Sequence, residues 1–151
     1  MDALEELLAI EHIKRLKARY FRFVDTQDWT GFRRLFTDDA VLEFRETMDE
    51  PCSIDAFMDG VRNYLAGVCS VHHGHMPEIT IRSSTEASAI WAMDDKLFFS
   101  KRTDGPDGIA MVKGYGHYHE TYVRQGNEWR ISSLRLTRLR LERTLNPRMI
   151  A

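Results

Sequence analysis

The chain has 151 residues, enough for one well-buried core and too few for two ordinary domains. Hydrophobic residues make up 43% and charged residues 29%, the balance of a soluble globular protein rather than a disordered or membrane-spanning one. A formal net charge of −2 gives no general pull toward nucleic acid or an anionic membrane, and neither is an expected partner.

Met1 to Glu6 carry acid where a secretory leader needs base, which points to a cytoplasmic location. Cys52 and Cys69 read as reduced thiols. Residues 3 to about 24 predict a helix, with Asp2 as cap and Glu5 three residues on. Leu4, Leu7, Leu8, Ile13, Leu16, Tyr20 and Val24 recur near its period. Asp28 caps a second short helix whose inner face is Trp29, Phe32, Leu35 and Phe36, and Thr37-Asp38-Asp39 end it. Residues 40–44 form a short strand. Ser53 then caps a third helix carrying Ile54, Phe57, Met58, Val61, Tyr64 and Leu65, with Gly67 at its stop.

From here the pattern turns to long strands. They run over 72–83, 87–101, 110–124 and 128–141, with turns at Thr103 to Gly108 and Gln125-Gly126-Asn127. In the last strand Leu134 and Leu136 share one parity, and Leu139 and Leu141 the other. A bulge near Thr137 accounts for the slip. Helices gathered ahead of antiparallel strands imply an α+β fold, with a curved sheet wrapped round the first and third helices to leave a cone with one mouth.

Asp25 stands at the apolar end of the first helix, beside Tyr20, Phe21, Phe23, Val24 and Trp29. A carboxylate in so dry a setting needs a hydrogen-bond partner, and the histidines at 72, 73 and 75 are the natural supply. Adjacent strand residues point to opposite faces, so only one of His72 and His73 can enter a pocket. The spacing to Ile79 favours His72. Asp25 could instead cap the helix or meet an arginine. His117 and His119 share a strand face that is either the pocket wall or the outer side.

These motifs, in this order, resemble the SnoaL-like branch of the nuclear transport factor 2-like superfamily. The residues are Tyr20 to Asp25 with Trp29, then Phe36-Thr37-Asp38-Asp39-Ala40-Val41. After them come Val71-His72-His73 leading to Ile79-Thr80-Ile81, Gly114 to Tyr122, and Gly126 to Ile131. The resemblance covers nearly the whole chain and implies one domain over 1–151. Similarity to scytalone dehydratase, bile-acid 7α-dehydratase and hexachlorocyclohexane dehydrochlorinase implies an Asp–His dyad on Asp25 and His72, and Tyr20 matches a tyrosine of the bile-acid enzyme. The tyrosine that immediately precedes the aspartate in scytalone dehydratase is Val24 here. The resemblance also implies a homo-oligomer, dimer or trimer.

Chemically, a histidine oriented by a carboxylate is a general base, able to abstract a proton beside a carbonyl or vicinal to a leaving group. Tyr20, His117, Tyr118 and His119 are candidate donors to the departing oxygen. Phe23, Trp29, Phe57, Tyr64, Met93 and Met111, with His117 and His119, are the expected walls of a pocket for a cyclic, partly apolar substrate. The expectation is a cofactor-independent lyase with no metal. The alternatives are an isomerase or cyclase, a non-catalytic binding or assembly module, a dioxygenase small subunit, and a metal site drawn from His72, His75, His117, His119 and Asp25. Arg135, Arg138 and Arg140 could bind an anionic substrate group or face solvent.

Overall fold

The computed structural model describes residues 1–45, 48–99 and 108–146. The elements are α1 (Ala3–Asp25), α2 (Trp29–Arg33), β1 (Phe36–Phe44), β2 (Cys52–Ser53), α3 (Ile54–Leu65), β3 (Cys69–Ile81), β4 (Glu86–Phe98), β5 (Ile109–Gln125) and β6 (Glu128–Leu145). The turn expected at Thr103 lies outside the described residues, up to Gly108.

α1 begins where the sequence sets it. The Asp2 carboxylate accepts from the Glu5 amide at 2.8 Å, and the Asp2 amide donates back to Glu5 at 2.9 Å. It buries Ala9, Ile13, Leu16, Lys17, Tyr20 and Val24. Leu4, Leu7 and Leu8 do not join that stripe. They lie on the opposite side of the helix, 65%, 63% and 49% exposed. The apolar period of the sequence thus merges two faces, because leucines spaced by three and four satisfy either phase.

The chain leaves α1 through Gln27, whose φ of +56° is a left-handed conformation that costs a non-glycine residue energy. Two bonds offset that cost. The Gln27 side-chain amide donates to the carbonyls of Leu65 at 2.8 Å and Val68 at 3.3 Å, just past the end of α3. Asp28 then caps α2 by accepting from the Gly31 amide at 2.8 Å.

The strands form one six-stranded, curved open sheet in the order β2-β1-β6-β5-β4-β3. All neighbours are antiparallel except β1 and β6, which run parallel. Thr37-Asp38-Asp39 is therefore strand rather than a helix end. The β1–β6 register breaks between Phe36 and Val41, so the polar run is looped out of an otherwise continuous pairing. β2 has two residues, too few to show a period. The slip in β6 is a bulge at Leu139: Tyr115 pairs with Arg140 while Gly116 pairs with Arg138.

The core lies between the helices and the inner sheet face. Phe32 is fully buried at its centre, with ring contacts to Tyr20, Trp29, Phe36 and Phe57 at 5.0, 6.0, 5.1 and 6.4 Å. Phe32→Ala should cost about 3–5 kcal/mol in urea unfolding with an unchanged m-value, because this site cannot collapse onto so many fixed rings.

Candidate active site

Asp25 is the last residue of α1, and β3 runs past it. Ser70 and His72 share the inward face of that strand. One Asp25 oxygen accepts from the Ser70 hydroxyl at 2.9 Å and contacts His72 Nδ1 at 2.6 Å. The other accepts from the His72 backbone amide at 2.8 Å. A carboxylate can only accept when ionised, so Nδ1 carries the proton and Nε2 is the ring nitrogen left for a ligand. Both side chains are largely buried, at 23% and 12% exposure.

Packing one turn of strand further on fixes the approach. At Gly74 an added Cβ would lie 2.6 Å from the Phe21 ring, so any side chain there would push α1 away from β3. In an unbroken strand His72 and Ile79 would face opposite ways. A register shift between His75 and Glu78 puts them on the same side.

His72 opens on a cavity of about 320 Å³ between α1, α3 and the sheet. Its walls include Val24, Phe57, Val61, Tyr64, Leu97 and Leu136, and its polar groups are Tyr20, His72, Asp95, Tyr118 and Arg138. Burial above all, then the charge of Glu120, raises the Tyr20 hydroxyl well above the ordinary phenol range. Burial does the same to Tyr118. Both therefore stay protonated and can act as hydrogen-bond donors.

Asp95 and Arg138 stand on neighbouring inner-face positions of β4 and β6 and meet at 2.6 Å. The pair exists because Gly114 lies between them on β5; a Cβ there would sit 2.1 Å from the guanidinium and 2.3 Å from the carboxylate. The other Asp95 oxygen, Oδ1, is buried without a hydrogen-bond partner. It faces the bare backbone of Gly114 and is closed off from the cavity.

A second polar layer lies beneath. Lys17, fully buried, pairs with Glu120, to which the Tyr122 hydroxyl also donates, and Trp91 Nε1 donates to Tyr122 at 2.9 Å. The Lys17 ammonium lies 3.7 Å from the Tyr20 ring centre and 3.9 Å from that of Tyr118. Burial lowers the Lys17 pKa, and Glu120 opposes the shift.

Several expected wall residues are elsewhere. Even-numbered β5 positions face inward, so Met111, His117 and His119 fall on the outer side. There His119 Nε2 contacts the Thr137 hydroxyl at 3.0 Å, and burial, with the nearby Arg135 and His117, lowers its pKa. Phe23 lines a separate outer cleft, Trp29 packs edge-on to Phe32, and Met93 is core, its sulfur 3.4 Å from Arg138 Nη1. Phe57 and Tyr64 do line the cavity. His73 and His75 point outward to Asp94, at 3.7 and 2.6 Å. The expected rival ligands thus diverge, and among the described residues no His, Cys, Asp and Glu side chains cluster as metal ligands.

Ser70 and Asp95 were not singled out by sequence reasoning. Asp95 was findable: it continues the inward series Ala87, Ala89, Trp91 and Met93. Arg138 enters the cavity, whereas Arg135 lines the outer sheet face and Arg140 pairs with Glu142 on the surface.

The chain belongs to the SnoaL-like domain family, matched over residues 5–135. The fold agrees with that assignment. Among curated proteins it is 29% identical over 137 residues to "Probable cyclase FGR4" of Gibberella zeae, covering 84% of this chain and 89% of the relative. Among solved structures it is similar to "Putative Scytalone Dehydratase" of Novosphingobium aromaticivorans, with TM-score 0.81, 19% identity and 97% of each chain covered. It is also similar to hexachlorocyclohexane dehydrochlorinase LinA-type3 of Novosphingobium barchaimii, with TM-score 0.76, 16% identity and 95% and 94% covered. At these structural identities the likeness establishes the fold. No helix among the described residues is long and apolar enough to cross a membrane.

The short Asp25–His72 contact should give a far-downfield imidazole Nδ1–H resonance in the proton NMR spectrum. Asp25→Asn should remove it while leaving the dispersed methyl signals in place.

Proposed function

We propose that this protein is a cofactor-independent lyase of the dehydratase type, acting on a small cyclic hydroxylated substrate of polyketide-like or steroid-like character. The observation that carries the reading is the carboxylate–imidazole contact of Asp25 and His72 at 2.6 Å, at the wall of a largely apolar cavity. The volume of about 320 Å³ is at the low end of the roughly 300–1,000 Å³ range of ligand sites, which favours one or two fused rings, the polyketide-like option, over the four of a steroid.

His72 Nε2 takes a proton from the carbon vicinal to the hydroxyl-bearing one, and the C–H electrons form the new double bond. The C–O bond breaks with its electrons on oxygen. Asp25 stabilises the imidazolium formed in this step. Tyr20 hydrogen-bonds the departing oxygen without giving up its proton, since a buried phenolate would be costly. The imidazolium then returns the proton, and water leaves. Arg138 donates to a substrate carbonyl or enolate oxygen, and Asp95 holds the guanidinium in place through its other oxygen, Oδ2.

A cyclase is the second reading, favoured by the Gibberella relative's name. The same base and the same enolate donors would serve carbon–carbon bond formation. We also read residues 1–151 as one domain in the cytoplasm, in keeping with Cys52 and Cys69 as free thiols.

The test is a panel of small hydroxylated cyclic ketones, with loss of water followed by absorbance of the conjugated product. His72→Ala and Asp25→Asn should each lower turnover by about 10²–10⁴-fold with little change in melting temperature. Rates within a factor of a few of the parent for either variant would refute the dyad.

A further inference from the structure

We infer that Lys17 is a positioning residue: from beneath Tyr20 and Tyr118 its ammonium makes their side of the cavity a subsite for an anionic oxygen of the enolate, phenolate or departing-hydroxyl class. This role deepens the proposed reaction and rests on it for Tyr20 as the donor to the departing oxygen.

Lys17 stands on the buried stripe of α1, one turn before Tyr20, and is wholly enclosed. Lysine is almost never fully buried unless paired. Its partner Glu120 is enclosed as well, and the pair continues through the Tyr122 hydroxyl to Trp91 Nε1. Stability does not demand such an arrangement, because a buried ion pair can often be exchanged for apolar side chains of similar volume without loss. What the pair supplies is a fixed dipole. Its positive end lies against the two phenol rings, 3.7 Å from the centre of Tyr20 and 3.9 Å from that of Tyr118. Its negative end is turned to the Tyr122 hydroxyl.

The two phenols line the cavity, and Lys17 does not. Any effect of the ammonium on a ligand therefore passes through the rings. Tyr118 hydrogen-bonds Tyr20 in the sense that favours charge on Tyr20, so a chain of donors runs from Tyr118 through Tyr20 into the cavity. An anionic oxygen at the end of that chain pushes negative charge onto the phenol that donates to it. Three carboxylates oppose charge there, Glu120, Asp95 and Asp25. Each has its own partner: Arg138 meets Asp95 at 2.6 Å, His72 meets Asp25 at 2.6 Å, and Lys17 meets Glu120. Lys17 differs from the other two in lying over the ring faces themselves. A cation so placed is held more strongly as negative charge gathers on the ring, and so favours the anionic ligand over its neutral form.

The experiment is the binding of β-naphthol to the full chain, titrated with pH and read by absorbance, which separates naphthol from naphtholate. Two fused rings suit a cavity of about 320 Å³. Tyr20 and Tyr118 stay protonated throughout, so the probe alone carries the charge. The parent should bind naphtholate more tightly than naphthol. Lys17→Met/Glu120→Gln removes both charges together and strands neither, so the fold should survive, as melting temperature and far-UV spectrum would show. In this double variant the preference for naphtholate should fall by about threefold to thirtyfold, with affinity for naphthol kept within about twofold. Lys17→Gln/Glu120→Gln, which puts a neutral hydrogen bond in place of the ion pair, should give the same loss. A purely structural role would weaken both forms alike, and that result overturns the proposal. So does a parent that binds both forms equally or neither, and so does a neutral pair that keeps the parent's preference. Turnover tells this failure from that of the lyase. A preference that depends on Lys17, in a protein that dehydrates no hydroxylated ketone, leaves the subsite and removes the reaction. Turnover that needs His72 and Asp25, with a preference indifferent to Lys17, removes the subsite alone.

Discussion

The site depends on an anion that cannot be left alone. Asp25 ends a helix in surroundings where an unsatisfied carboxylate would be destabilising, and three donors from β3 meet it: a hydroxyl, a backbone amide and an imidazole. That single requirement fixes the C-terminal end of α1 against one edge of the sheet. It also selects the tautomer of His72 and so decides which ring nitrogen meets the cavity. Bare Gly74, the break after His75 and the inward face of Ser70 serve the same contact.

Much of the architecture was legible because it obeys simple periods. The capping pair at Asp2 and Glu5, the stop after Leu65 and the four long strands follow local rules that tertiary packing did not override. What was hidden is non-local. Nothing in Thr37-Asp38-Asp39 announces that β1 pairs in parallel with a strand nearly a hundred positions later, since that pairing is set by how the sheet closes over the helices. Leu4, Leu7 and Leu8 have the spacing of a core face and are not core; periodicity reports a stripe without saying what covers it.

The site divides in the same way. Asp25 and His72 could be named because a buried acid needs a partner and the histidine cluster offered one. Met111, His117 and His119 were misplaced by a parity that only the paired sheet decides: Tyr118, Glu120 and Tyr122 take the inner positions, so their odd-numbered neighbours cannot. The Asp95–Arg138 pair depends on the absence of a side chain at Gly114, on the strand that separates the two, a gap that a linear reading does not display.

The amide of Gln27 has a mechanical consequence. It grips the carbonyls of Leu65, the last residue of α3, and of Val68 from a position two residues beyond Asp25, and α3 supplies one side of the cavity. The helix that walls the cavity is thus tethered to the segment that presents the acid. The width of the cavity and the placement of the carboxylate therefore share one joint.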